Sequence, residues 1–203
     1  MSRSGYYFLI FLISLFFISS MKAEGDSISS SPSFKGSLSI EELKDSIHLH
    51  KYKEHFGSYI YMKMSSRVKG EKRKIYTDSI VECAYYASKK YNIDILLLLS
   101  VAYQESHFYP KAKGKTRDEG LYQLTPWATR EWERHTKQKI KNIYNIQTNT
   151  EIAAWFIKQK MNESNEKYSI ALAKYNAGKY YKTIGKDYYK NILLKKSKLK
   201  KGI

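Results

Sequence analysis

The stretch "DILLLLSVAYQE", residues 94–105, constrains the chain more than any other. Read as a helix, it carries Leu96 to Leu99, Val101, Ala102 and Tyr103, which leave almost no polar face. A helix apolar on all sides belongs at the centre of a domain. Asp94 can cap its start and Pro110 forbids its extension. The helix ends on a carboxylate. Leu97, Val101 and Glu105 are spaced by four, and Leu98, Ala102 and Glu105 by four and three, so Glu105 shares a face with the apolar stripe. Burial disfavours the charged form of a carboxyl and raises its pKa. An acid that keeps its proton near neutrality is what glycosidic bond cleavage requires. A glutamate at a fraying helix end can simply turn into solvent, and the pattern alone favours that reading over the catalytic one.

Further helices can be placed around this one. "DSIVECAYYASKKYN" puts Ile80, Val81, Ala84 and Ala87 on one stripe, with Cys83 beside it as a small core residue. Ser39 and Glu42 make a capping box for a helix through "IEELKDSIHLHKY". Thr125 and Pro126 mark another start, with Trp127 and Trp132 to bury. Thr148 and Glu151 read as a second capping box, ahead of inward-facing Ile152, Ala153, Phe156 and Ile157. "SIALAKYNAG" is a further helix, with Gly178 where a left-handed C-terminal cap is expected. "YYKNILLKKSKLKKGI" reads as helix at first and then as a solvated basic end. Only "HFGSYIYMKM" carries strand-like alternation. The expected fold is mainly α, with little or no sheet.

The 203 residues suffice for one domain with extensions. Residues 1–23 have a basic start, an apolar run and small residues after it, the anatomy of an export signal. The run is short of the ~20 apolar residues that span a bilayer. Residues 24–39 are serine-rich and read as a flexible tether, and 40–74 as an N-terminal helical extension. The lysine-rich run ending at Lys74 reads as a boundary, with a compact domain and basic tail over 75–203. Cys83 is the only cysteine, so no intramolecular disulfide forms, and it lies too far from the leader for a lipidated N-terminus. The expectation is export to the periplasm or the wall side of the inner membrane, and not as a lipoprotein.

With 36 basic and 19 acidic residues the formal charge is +17. That suits an acidic partner such as an acidic wall polymer or an anionic membrane surface, and export argues against nucleic acid. The abundance of lysine, isoleucine, tyrosine and asparagine together fits codon bias equally well. His48, His50 and His55 in "HLHKYKEH" match no standard zinc spacing, and no metal site is expected there.

The segments "QESHFYPKA", "EGLYQLTP", "NIQTNTEIAAWFI" and "ALAKYNAG" follow in one order. The series resembles the catalytic domain of the soluble lytic transglycosylase family, related to goose-type lysozymes, over roughly Tyr76 to Leu194. The resemblance implies a lysozyme-like fold, peptidoglycan glycan strands as substrate, and no metal or cofactor. It also implies cleavage of the MurNAc–GlcNAc bond with 1,6-anhydro-MurNAc ends. By resemblance Glu105 is the single catalytic acid and Ser106 its customary neighbour. Gln123 lines the sugar groove, Tyr175 and Asn176 stand near the acid, and Gly120 and Tyr122 belong to the substrate-binding motif. The residue types suit those roles. A glutamine amide offers donors and an acceptor to sugar hydroxyls. A tyrosine can hold the acid while its ring supplies a stacking face. Gly120 would let backbone approach the glycan closely.

Four positions depart from the family pattern. Arg117 and Asp118 replace the usual Gly-Ala, Tyr122 a common methionine, and Asn149 a typical glycine. Two alternatives follow. One is a goose-type-lysozyme-like hydrolase in which Asp118 and Glu119 position a water. The other is a catalytically silent wall-binding protein of the same fold.

Overall fold

The capping box expected at Ser39 opens the first helix of the computed structural model, which describes residues 39–183 and 185–201. The export signal and all of the tether but Ser39 lie outside the described residues. The Glu42 N–H donates to the Ser39 hydroxyl at 3.2 Å, and the Ser39 N–H to the Glu42 carboxylate at 2.8 Å. Helix α1 (Ile40–Lys63) is followed by α2 (Glu71–Tyr91), α3 (Ile95–Ser106), α4 (Pro126–Thr136), α5 (Ile146–Asn162) and α6 (Tyr168–Ala177). A 3-10 turn (Gly178–Tyr180) then leads to α7 (Lys186–Lys201). There is no strand among the described residues, only isolated bridges pairing Glu119 with Lys113 and with Leu124. No helix among them is long and apolar enough to cross a membrane.

Helix α3 is the axis of the core. Leu97, Leu98, Leu99, Val101 and Ala102 are buried, and α2 and α7 pack against it. The Asp94 side chain accepts from the Leu96 N–H at 2.8 Å, so the cap is the one its sequence dictates. Helix α5 packs against α2 and α6, and α4 lies on α5.

Several expectations are corrected here. "HFGSYIYMKM" is not a strand: it forms the last turns of α1, with Phe56, Tyr59 and Ile60 buried at helical spacing while Tyr61 and Met62 stay exposed. Residues 40–74 do not stand apart from the core. Phe56, Tyr59, Ile60, Met64 and Val68 join one hydrophobic cluster with α3, and α2 starts at Glu71, ahead of the boundary drawn at 75. The lysine-rich run hides Arg73, whose guanidinium donates to the carbonyls of Tyr61 and Met64, each at 2.7 Å, and of Val68 at 3.0 Å. A helix end leaves such carbonyls without partners, and with a fourth bond to Met62 at 3.4 Å one cation here satisfies four.

Asn145, not Thr148, caps α5. Its side chain accepts from the Thr148 N–H at 2.9 Å, which moves the helix start upstream and leaves Glu151 to meet Lys90 and Tyr91. Trp132 is buried but Trp127 is half exposed. Gly178 has φ +53° with ψ −126°, so it turns the chain without the left-handed helical cap. The basic tail is a packed helix rather than a solvated end. Tyr188, Ile192 and Leu199 are buried, the Lys195 ammonium lies over the Tyr103 ring, and Lys196 meets the capping Asp94 at 2.5 Å. Gly185 permits this docking, because a Cβ there would lie 2.6 Å from the Ala173 Cβ. Cys83 is a partly buried core thiol, pushed up to about 12 by burial and therefore poorly nucleophilic.

Candidate functional site

Helix α3 delivers Glu105 to the edge of the core. The residue keeps part of its surface open while burial pushes its carboxyl up to about 7. The nearby Asp118 charge pushes in the same direction. The Tyr188 hydroxyl, carried by α7, donates to Glu105 Oε1 and pulls the other way. Burial and the Glu105 charge hold Tyr175 and Tyr188 well above the usual phenol range, so both remain donors at neutral pH. The result is a carboxyl near half protonation at neutrality, set among two phenols and one carboxylate. It can give up a proton and take one back.

The turn after α3 fixes where that carboxyl points. His107 and Phe108 both adopt positive φ, at 50° and 57°, a costly region for residues with bulky side chains. Phe108 is fully buried and stacks on Tyr103 with centroids 5.3 Å apart, which offsets the strain. The Ser65 N–H donates to the His107 carbonyl at 2.8 Å, so the segment after α1 braces the same turn.

The loop from Ala112 to Leu124 forms the facing wall. Gly120 N–H donates to the Ala112 carbonyl at 2.9 Å, and Glu119 and Leu124 exchange two backbone bonds at 3.0 and 2.9 Å. Asn149, fully buried, holds the loop from behind. Its Oδ1 accepts from the Tyr122 N–H at 2.8 Å, and its Nδ2 donates to the carbonyls of Ile143 at 2.9 Å and Glu119 at 3.2 Å.

That wiring reassigns three of the residues expected to touch substrate. Gly120, at φ +84°, faces Asn149 rather than a ligand: a Cβ there would lie 2.2 Å from the Asn149 Nδ2. Tyr122 is fully buried, and what it offers the site is its backbone carbonyl, which accepts from the Tyr175 hydroxyl at 3.0 Å. Ser106 is buried, and its hydroxyl donates to the Leu121 carbonyl at 2.7 Å, tying α3 to the loop. Gln123 stays partly exposed at φ 47°, with its Nε2 donating to the Gly120 carbonyl at 3.0 Å. Tyr175 is partly exposed beside Glu105, and Asn176 is exposed near the end of α6.

Asp118 accepts from the Thr116 hydroxyl, and Arg117 is exposed at φ 67°. Glu119 is engaged by the Tyr144 hydroxyl, whose pKa that bond and burial push up to about 12. Glu119 is thus held by a partner of its own. Among the described residues no three His, Cys, Asp or Glu side chains gather to hold a metal. His50 pairs with Glu54 at 3.2 Å, and the His55 ring lies 3.3 Å from the Lys200 carbonyl. Open depressions along α1, such as the one lined by Lys51, Glu54 and His55, do not include Glu105. The chemistry of the acid locates the site, not the depth of a hollow.

The family model described as the transglycosylase SLT domain matches residues 82–193, from α2 to α7. The chain belongs to that family. The SLT span contains Glu105, the whole Ala112–Leu124 loop, Asn149, Tyr175 and Tyr188. Among solved structures, the chain is similar to an inactive mutant of the lytic transglycosylase Slt from Pseudomonas aeruginosa, with a TM-score of 0.54 and 16% identity. The match covers 64% of this chain and 27% of that one, so this chain corresponds to about a quarter of that protein. The likeness establishes a shared lysozyme-like, helical SLT fold.

Two residues around Glu105 and its facing loop were given no role from the sequence. Tyr188 heads the stripe Tyr188, Ile192, Lys195, Leu199, spaced by four, three and four, which the density of lysines conceals. Asn149 stood out only as a departure from glycine, with no signal of what its amide would hold.

Proposed function

We propose that this SLT domain is a peptidoglycan lytic transglycosylase, acting outside the inner membrane after export by residues 1–23. The observation that carries the proposal is the single carboxyl at the apolar edge of α3, held near half protonation at neutral pH with a phenol bonded to it. Protonated Glu105 donates to the oxygen that links N-acetylmuramic acid to N-acetylglucosamine, and the bond from that oxygen to the muramic C1 breaks. The substrate's own N-acetyl carbonyl stabilises the cationic C1, so no second protein carboxylate is needed. Glu105, now ionised, takes the proton of the muramic C6 hydroxyl, whose oxygen closes onto C1 as a 1,6-anhydro ring. The proton lost in the first step is recovered in the second. Gln123 offers its amide to sugar polar groups along the wall, and Asn176 stands exposed beside Tyr175 to do the same.

A hydrolytic reading draws on one observation, that the Asp118 charge reaches Glu105. There Asp118 would hold a water that attacks C1 in place of the C6 hydroxyl. Digestion of purified sacculi with mass analysis separates the two. Transglycosylation leaves muramic ends lighter by one water than the reducing ends of hydrolysis. Anhydro ends are the expected product, and reducing ends alone would overturn the non-hydrolytic mechanism.

A further inference from the structure

Trp127 is the one tryptophan of the three that the core leaves out. Trp132 is 5% and Trp155 9% exposed, whereas Trp127 is 50% exposed. Its position is not a loose end. It is the second residue of α4, directly after Pro126, and the Thr125 hydroxyl caps that helix by accepting from the Ala128 N–H at 3.1 Å. The indole meets the ring of Phe156 edge to face, with centroids 5.4 Å apart and planes at 72°. The Lys160 ammonium lies 5.4 Å from the indole centroid and 4.9 Å from that of Phe156, and Glu163 anchors it at 2.7 Å. An exposed indole braced by a buried ring and a pinned cation loses little freedom on binding a ligand.

The row of rings points to what the ligand is. Phe156 is also 5.8 Å from Tyr175, the residue that stands beside Glu105 and bonds the loop carrying Gln123. The rings of Trp127, Phe156 and Tyr175 thus touch in series, the buried Phe156 linking the tyrosine beside the acid to an open indole. The exposed indole, away from the carboxyl, offers a flat apolar face that suits a pyranose ring. The axial C–H bonds of such a ring carry partial positive charge and settle on the negative face of an aromatic system.

We infer that Trp127 is the stacking platform of an outlying sugar subsite, receiving an N-acetylhexosamine of the glycan strand beyond the residues cleaved at Glu105. The inference rests on the glycan-cleaving reading above and adds a specificity determinant to it: preference for strands long enough to reach the indole.

Two measurements on the full chain test it. In the first, wild type, Trp127→Ala and Trp127→Tyr are compared on purified glycan strands. Trp127→Ala is expected to raise KM roughly three- to tenfold with kcat retained, the range of one aromatic contact. Trp127→Tyr should recover most of the loss. In the second, Glu105→Gln is titrated with N-acetylglucosamine hexamer and dimer while tryptophan emission is followed. Because the other two indoles are buried, a blue shift with the hexamer but not the dimer reports Trp127, and it disappears in Glu105→Gln/Trp127→Ala. Unchanged KM in Trp127→Ala, while wild type cleaves glycan, would remove the subsite and leave the catalytic reading standing. Wild type that neither cleaves strands nor binds hexamer would overturn both.

Discussion

Glu105→Gln is expected to slow glycan cleavage by about three orders of magnitude, the midrange of what a positioned acid–base residue contributes. The same variant should be the more stable protein above neutrality. The carboxyl is raised from 4.5 to about 7. The folded state therefore binds this proton more tightly than the unfolded state does. Below pH 4.5 the group is neutral in both states and costs nothing. As pH rises from 4.5 through 7 the unfolded chain ionises first, and stability falls, reaching a penalty of about 3 kcal/mol above pH 7. A glutamine amide carries no such penalty. Denaturant unfolding at pH 5 and pH 8 should show the gap between variant and wild type widening with pH. A variant that digests sacculi as fast as wild type would remove Glu105 from the mechanism.

Asn149→Gly installs the glycine that the family resemblance leads one to expect and is nevertheless expected to damage this protein. Three backbone groups, the Tyr122 N–H and the carbonyls of Glu119 and Ile143, lose their partner inside a fully buried pocket. Each net bond is worth about 1 kcal/mol and an orphaned buried group costs more, so a loss of about 3 kcal/mol in unfolding free energy follows. The turn that carries Gln123 loosens with it. Misplacing a substrate-holding wall by a fraction of an ångström lowers kcat/KM roughly 10- to 100-fold. Asn149→Asp keeps the acceptor toward Tyr122 but loses both donated bonds and buries a charge, so it should be no better. Wild-type stability and turnover in Asn149→Gly would show that the loop holds itself.

What the sequence disclosed was local, and what it concealed was relational. The caps at Ser39, Asp94 and Thr125 were legible because one side chain and one nearby N–H settle them. The face that carries Glu105 was legible because helical spacing ties it to Leu97 and Val101, whereas whether the carboxyl stays on it or turns into solvent was not. The strand-like "HFGSYIYMKM" misled because tyrosine and isoleucine favour sheet, while the packing of Phe56, Tyr59 and Ile60 onto the core decides for helix. The last helix was expected to begin at Tyr188, but its packing was masked by its lysines, which leave one narrow stripe inward, and with that went the role of Tyr188 as hydrogen-bond partner of the acid. Gly120, Tyr122 and Ser106, expected to meet substrate, have protein neighbours instead. Only the fold shows that Asn149 fills the space in front of Gly120, and that a buried tyrosine serves the site through its carbonyl.

The direct test is the titration of the Glu105 carboxyl carbon by NMR in protein labelled at glutamate, assigned by its absence in Glu105→Gln. The account predicts a midpoint near 7, raised in Tyr188→Phe, which loses the bond favouring the anion, and lowered in Asp118→Asn, which loses the opposing charge. A midpoint at 4.5, indifferent to both substitutions, would contradict it.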